Sequence, residues 1–246
     1  MLPSIWCPGC GNGIVLGSFI RAFYSTGIDR NSTVVVSGIG CTGRISQYLD
    51  FDTVHTTHGR ALALATGIKL ANPRLHIVVF MGDGDAMAIG GNHFIHAARR
   101  NIDLTSIIIN NAIYGMTGGQ ESPTTPKGKK TKTTPYGSVE NPINIPRLAI
   151  AAGATFVAKF TSYHAKMLEH GIAEALLHKG FSVVEVITGC PTQWKMKPSD
   201  ILEAQKKYFK KKDQTSMDGA ETNRIGIFKR VICPEFCTRI GKIAVS

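Results

Sequence analysis

Residues 75–85 have the sequence Leu-His-Ile-Val-Val-Phe-Met-Gly-Asp-Gly-Asp, an apolar run that ends in two glycine–aspartate pairs. A short apolar run that stops at glycine predicts a buried parallel strand, a tight turn and the start of a helix. Such a turn places the Asp83 carboxylate at the carboxyl edge of a sheet. Backbone N–H groups that favour anions lie beside it there.

A second strand-like run covers residues 104–109 and ends at Asn110 and Asn111, about 25 residues after Gly84. A carboxylate and a carboxamide at neighbouring strand ends can together bind a hard cation such as Mg²⁺, and the cation can in turn coordinate a diphosphate. The pair of motifs resembles the thiamine diphosphate (TPP) motif. By this resemblance the Asp83 and Asn111 side chains and the Ile113 carbonyl would ligate Mg²⁺.

Composition predicts a globular protein. The 246 residues are 43% hydrophobic and 18% charged, enough for one full-sized core. No run of 18 apolar residues and no N-terminal signal pattern occur, so we expect a cytoplasmic protein that does not enter the membrane. In that compartment the six cysteines are expected to be metal ligands or core residues rather than disulfides.

The net charge of +11 comes largely from two lysine-rich stretches, residues 127–132 and 206–212. These are expected to be solvated loop and helix faces, or a docking surface for an acidic protein or an anionic cosubstrate. No nucleic-acid-binding signature accompanies the charge, so no nucleic-acid partner is expected.

Strands that alternate with helices predict a doubly wound, mainly parallel α/β sheet. We place a TPP-binding domain at residues 1–195, opened by a cysteine-rich turn, and a C-terminal extension for subunit contact at residues 196–246. Helices are predicted at residues 13–24, 61–71, 86–100, 146–152, 163–179 and 198–212, with Ser162 as an N-cap. Residues 117–144 have no periodicity and are expected to form a lid or a partner-docking arm.

Four cysteines have positions that could converge at the carboxyl edge of this sheet, where ligands of such folds bind. Cys7 and Cys10 share a Cys-x-x-Cys turn, and Cys41 and Cys190 each follow a predicted strand. Zinc and a [4Fe–4S] cluster both accept four thiolates, and scattered buried thiols are the third alternative. The TPP motif favours the cluster, because TPP holds the electrons left when a 2-oxo acid loses CO₂ and zinc accepts none.

Six motifs together resemble the β subunit of 2-oxoacid:ferredoxin oxidoreductases over about residues 5–195. They are Trp-Cys-Pro-Gly-Cys-Gly, Gly-Ile-Gly-Cys-Thr-Gly-Arg, Thr-His-Gly-Arg-Ala, Gly-Asp-Gly-Asp, Asn-Asn-x-x-Tyr-Gly-Met-Thr-Gly-Gly-Gln and Thr-Gly-Cys-Pro. The resemblance implies oxidative decarboxylation of a 2-oxo acid to an acyl-CoA, with coenzyme A (CoA) as cosubstrate and ferredoxin as electron acceptor, or the reverse reaction. It also implies an α subunit that supplies the glutamate needed by TPP, in an αβ or (αβ)₂ complex.

The resemblance assigns residues as well. Cys7, Cys10, Cys41 and Cys190 fall on the cluster ligands, whereas Cys233 and Cys237 match no ligand position. His58 is expected to be a hydrogen-bonding residue near the cofactor, with a metal ligand as the alternative. The predicted cofactor-binding residues are Gly40, Cys41, His58, Gly82, Asp83, Gly84, Asp85, Asn111, Ile113, Tyr114, Gly115, Met116 and Thr117.

Arg44 lies three residues after Cys41, where the family carries a basic residue close to the substrate. Its guanidinium could bind a second carboxylate bidentately. With Gly-Ile-Gly-Cys-x-x-Arg, the chain most resembles enzymes that accept 2-oxoglutarate or a broad range of 2-oxo acids, and 2-oxoglutarate is the expected substrate. The alternatives are a contact to a CoA phosphate or to a local acid.

Two other functions compete with this one. A cluster-free TPP decarboxylase or carboligase leaves the four cysteines without a role. A zinc-stapled, non-catalytic binding module leaves Asp83 and Asn111 without a role.

Overall fold

The computed structural model describes residues 4–210 and 223–244, and a single twisted sheet lies at its centre. The strands of these residues are β1 (Thr33–Ser37), β2 (Asp52–His55), β3 (His76–Gly82), β4 (Thr105–Asn110), β5 (Phe156–Thr161), β6 (Ser182–Ile187), β7 (Phe209–Lys210) and β8 (Arg224–Arg230). Their order in the sheet is β2-β1-β3-β4-β6-β5-β8-β7.

The strands from β2 to β5 are all parallel, and β8 is antiparallel to β5. The chain runs from β1 outward to β2 and then returns to the other side of β1 as β3. The strand order therefore reverses between β1 and β3, which opens a crevice at their carboxyl ends. The predicted doubly wound, mainly parallel sheet is confirmed.

Helices cover both faces of the sheet. They are α1 (Asn12–Thr26), α2 (Gly40–Gly43), α3 (Ala61–Ala71), α4 (Gly91–Arg100), α5 (Ile145–Ala152), α6 (Ala165–Leu177), α7 (Pro191–Trp194), α8 (Pro198–Lys206) and α9 (Phe236–Ala244). Alternate residues of β1 serve opposite faces. Val36 packs in the layer of α3, α4 and α5, and Val35 packs in the layer of α1 and α6.

The predicted helix at residues 86–100 is interrupted. A π-helical turn, Asp85–Ile89, precedes α4, and Gly90 joins the two. A β-carbon on Gly90 would lie 2.3 Å from the Asp85 carbonyl oxygen, so the junction requires glycine. Such turns are frequent at functional sites, and this one begins at a residue of the predicted site.

Two predictions of helix boundaries were wrong. Ser162 is not an N-cap, because α6 begins after His164 and the Ser162 hydroxyl donates to Gln205 Oε1 at 3.0 Å instead. The basic helix starting at Pro198 ends at Lys206, and Phe209–Lys210 pairs with β8. That pairing depends on contact with a separate segment of the chain, and helix propensity reflects only the local sequence. Residues 211 and 212 of the predicted helix lie outside the described residues.

The C-terminal segment contributes elements to the same sheet. β8 pairs with β5 from Gly226 to Arg230, and α9 is held by a 3.2 Å bond from the Phe236 N–H to the Asn101 carbonyl. The predicted division at residue 195 and the subunit-contact role of residues 196–246 stay predictions. In the described part of the chain, no helix is both long and apolar enough to cross a membrane.

Candidate active site

A cavity of about 540 Å³ occupies the crevice where the strand order reverses. Its wall is formed by the segments that follow β1, β3 and β4, with His58 from the turn before α3. The lining residues are Ile39, Gly40, Cys41, Thr42, His58, Gly82, Asp83, Gly84, Asp85, Asn111, Ile113, Tyr114, Gly115, Met116, Thr117 and Gln120.

Asp83 is one of two buried carboxylates that line this cavity, with 2% of its surface exposed. The Ser122 and Thr124 hydroxyls each donate to Asp83 Oδ2 at 2.6 Å. Burial raises the pKa of the Asp83 carboxyl, although these two hydrogen bonds oppose the shift. A bound cation would favour the charged form of this carboxylate and so offset the cost of burying it. Asp83 is therefore suited to be a metal ligand.

Asp85 organises the adjoining wall. Its Oδ1 accepts a 2.6 Å bond from the Gly59 N–H and lies 2.9 Å from His58 Nδ1. Burial raises the pKa of the Asp85 carboxyl, while the Gly59 N–H and the His58 charge lower it. A β-carbon on Gly38 would lie 1.6 Å from Asp85 Oδ2, so only glycine leaves room for this carboxylate. Asp85 thus fixes the His58 ring at the cavity wall.

The two asparagines at the end of β4 begin a tight turn. Asn110 Oδ1 accepts from the Ala112 N–H at 3.0 Å, and Asn111 Oδ1 accepts from the Ile113 N–H at 3.1 Å. Ala112 has a φ of 60°, a left-handed conformation that is uncommon for a residue with a β-carbon. The Trp194 indole N–H donates to the Asn111 carbonyl at 2.9 Å and braces the turn from outside.

Tyr114 connects the turn after β4 to the Gly-Asp-Gly turn after β3. Its hydroxyl donates to the Gly84 carbonyl at 3.1 Å, and its ring lies against Gly84 so closely that a β-carbon there would be 2.3 Å from it. Burial and the charges of Asp83 and Asp85 raise the pKa of the Tyr114 hydroxyl. It therefore stays protonated at neutral pH, the state needed for it to donate this bond.

The four predicted ligand cysteines lie at one rim of the same cavity. Cys41 lines it directly, and a β-carbon on Gly115 would lie 3.2 Å from the Cys190 sulfur. Burial raises the pKa of Cys10, Cys41 and Cys190, and the neighbouring thiols raise each of these pKa values further. Cys7 is one of the neighbours that act on all three.

Hydrogen-bond donors also approach these sulfurs. Asn12 Nδ2 donates to the Cys10 sulfur at 3.6 Å, and the Thr192 hydroxyl lies 3.2 Å from the Cys7 sulfur. Yet within the described residues no three His, Cys, Asp or Glu side chains group tightly enough for one metal ion.

Comparison with known proteins gives a consistent result. The family "Thiamine pyrophosphate enzyme, C-terminal TPP binding domain" matches residues 38–186. The chain is 64% identical to "2-oxoglutarate synthase subunit KorB" of Archaeoglobus fulgidus over 99% of its own length and 91% of that protein. It is 49% identical to the Methanocaldococcus jannaschii protein of the same name, over 98% of this chain and 93% of that one.

A solved structure agrees with these relatives. The "2-oxoglutarate:ferredoxin oxidoreductase from Magnetococcus marinus with 2-oxoglutarate, coenzyme A and succinyl-CoA bound" superposes with a TM-score of 0.92 at 34% identity. The match covers 99% of this chain and 87% of that chain. This chain is a β subunit of the 2-oxoacid:ferredoxin oxidoreductase family. Within that family it is of the 2-oxoglutarate synthase type.

The β-subunit structure brings the predicted cofactor-binding residues to one wall, since each of them lines the 540 Å³ cavity. Their roles as ligands stay predictions. Arg44 is not among the described residues that line the cavity, although its charge acts on Cys41 and opposes the rise in the pKa of that thiol. Cys233 and Cys237 lie together at a different cavity, with Lys69 and Asp103.

Sequence reasoning missed several polar residues of the β-subunit site. Ser122 and Thr124, which hydrogen-bond Asp83, belong to the aperiodic segment 117–144. Glu185, which accepts from Asn110 Nδ2 at 2.8 Å, lies between apolar residues inside β6. Two features of the sequence could have indicated these residues. They are the length of the loop that carries Ser122 and Thr124, and the single acidic residue in a buried strand for Glu185.

Proposed function

We propose that this β subunit, completed by an α subunit, converts 2-oxoglutarate and CoA to succinyl-CoA and CO₂, or runs the reverse reaction. The two electrons released would pass through one [4Fe–4S] cluster to ferredoxin. The observation that carries the proposal is that one cavity is lined both by oxygen ligands for a metal ion and by a thiol ligand. Asp83 and Asn111 supply oxygens, and Cys41 supplies a thiol on the same wall.

The oxygen donors fit TPP and Mg²⁺. The Asp83 carboxylate, the Asn111 carboxamide and the Ile113 carbonyl are hard ligands of the kind that Mg²⁺ prefers, and Mg²⁺ would bridge them to the diphosphate. Gly40 faces open space in the same cavity, which leaves room for a cofactor beside its backbone. When bound, TPP supplies the carbon centre at which the 2-oxo acid loses CO₂.

The thiol donors fit an iron–sulfur cluster. Cys7, Cys10, Cys41 and Cys190 would supply four thiolates, and the donors at Asn12 and Thr192 would tune its potential. Because Cys41 lines the cofactor cavity, electrons would have a short path from the reacting carbon to the cluster.

The β subunit is one half of the proposed active site. No glutamate lines the cavity in the described part of the chain, which supports an α subunit as the source of the one that TPP requires. The exposed lysines Lys127, Lys129, Lys130 and Lys132 carry a positive charge suited to an acidic protein or an anionic cosubstrate.

A visible spectrum of the anaerobically purified αβ complex tests the proposal. We expect a broad brown absorbance that bleaches when 2-oxoglutarate and CoA are added and returns when oxidised ferredoxin follows. A colourless complex that still decarboxylates would support the cluster-free decarboxylase. A colourless, inactive complex that holds zinc would support the binding module.

Substrate choice is tested at Arg44. Replacing Arg44 by methionine should lower kcat/KM for 2-oxoglutarate by roughly 10- to 150-fold while sparing pyruvate and 2-oxobutyrate, because a charge-assisted pair contributes about 1.5–3 kcal/mol. Steady-state assays on the three acids measure this. Equal losses on all three would place Arg44 on CoA, on the cluster loop or on the subunit contact, and the dicarboxylic substrate would then lose its support.

A further inference from the structure

Glu185 is a buried carboxylate beside the candidate active site, with 3% of its surface exposed. It lies on β6, and its Oε1 accepts a 2.8 Å bond from Asn110 Nδ2. Its Oε2 accepts no hydrogen bond within the described residues, and Lys159 Nζ is 3.9 Å away from it. Burying a carboxylate away from water costs free energy unless its oxygens accept hydrogen bonds or face a cation. The bond to Asn110 is therefore the most specific contact it makes.

This bond determines how the Asn110 amide is oriented. With Nδ2 facing Glu185, Oδ1 faces the Ala112 N–H and the Thr124 hydroxyl, each at 3.0 Å. The opposite orientation would turn Oδ1 toward the carboxylate and Nδ2 toward the Ala112 N–H. Both contacts would then be repulsive.

The Asn110 side chain is linked to the cofactor cavity through Ala112. It holds the left-handed backbone of Ala112 and so sets the turn that carries Asn111 and Ile113. The Thr124 hydroxyl has one proton and donates it to Asp83 Oδ2 at 2.6 Å, so it does not connect Asn110 to Asp83. Two of the three predicted Mg²⁺ ligands thus depend on the orientation of one amide.

We propose that Glu185 is a positioning residue for two of these ligands, Asn111 and Ile113, and acts on them through Asn110. The inference rests on the proposed TPP and Mg²⁺ site and adds to it a residue from the interior of β6. Glu185 itself is not among the residues that line the 540 Å³ cavity.

The surroundings of Glu185 make it suitable for substitution. It also faces a second cavity of about 750 Å³ at the ends of β4, β5 and β6. A side chain of similar size but different shape has room to adjust there. Leucine removes the acceptor and leaves Asn110 Nδ2 unsatisfied, whereas glutamine keeps an oxygen that can accept the bond without the charge.

Titration calorimetry of the αβ complex with TPP, in the presence of Mg²⁺, tests the proposal. We expect Glu185→Leu to raise the Kd of TPP about tenfold, the lower end of the range for residues that orient metal ligands. Glu185→Gln should raise it only about two- to threefold, because a neutral acceptor makes a weaker bond than a charged one. At saturating TPP and Mg²⁺, kcat should recover most of its original value in both variants.

Val184→Ala is the matched control, because Val184 is the adjacent buried residue of β6 and packs on the face of the sheet covered by α1 and α6. It should lower the melting temperature but leave the Kd of TPP unchanged. If Glu185→Leu weakens TPP binding no more than Val184→Ala does, Glu185 has only a structural role and the inference is wrong. If the unmodified complex binds no TPP with Mg²⁺, the proposed cofactor site itself is wrong.

Discussion

Asp83→Ala is expected to raise the Kd of TPP by about 100-fold or more in the presence of Mg²⁺. Residues that only orient a metal ligand are worth 10- to 100-fold in metal affinity, and the direct, charged ligand should exceed that range. Without it the diphosphate loses its bridge to the protein. Calorimetric titration of the αβ complex with TPP at fixed Mg²⁺ measures the change directly.

Two further variants keep this result interpretable. Asp83→Asn retains an oxygen that Ser122 and Thr124 can bond, so it should fold normally and bind TPP with intermediate affinity. Asp52→Ala removes an exposed acid from β2, outside the cavity, and should have no effect. Unchanged TPP affinity in the folded Asp83 variants would remove Asp83 from the metal site.

Cys190→Ser is expected to deprive the complex of most of its iron and to abolish ferredoxin reduction. A serine hydroxyl is a poor replacement for a thiolate, and Cys190 is the most buried of the four proposed ligands, beside Gly115 of the cofactor wall. Iron analysis, the visible spectrum and the rate of ferredoxin reduction each measure the loss. The same changes are expected for serine at Cys7, Cys10 or Cys41.

Cys233→Ser and Cys237→Ser are the controls within the same chain. These residues line a different cavity with Lys69 and Asp103, so iron content and ferredoxin reduction should be unchanged. A Cys190→Ser complex with full iron occupancy would exclude Cys190 from the ligand set. Loss of iron in the control variants would instead require a different set of four cysteines.

The sequence was sufficient for the parallel sheet and for the main residues of its carboxyl edge. Residues 77–80 are all apolar because both faces of their strand are buried, and a run of this kind is visible without a structure. Glycine followed by aspartate marks the strand end, where a short turn must expose a carboxylate. The turn from Gly82 to Asp85 and the strand end at Asn111 could therefore be predicted from the residues, and the family resemblance supplied the lining residues 113–117.

Only the tertiary structure determined which residues support that edge. Ser122 and Thr124 reach Asp83 from about 40 positions along the chain, and Glu185 reaches Asn110 across 75. Hydrogen bonds of this kind depend on how a long loop folds back and on which strands become neighbours. No local pattern in the sequence records either. The same reason explains why Phe209 pairs with β8 instead of continuing a helix. Local periodicity therefore sufficed for the main elements, and the resemblance of the motifs supplied the site residues. The long-range pairing of strands and loops determined how those residues are held.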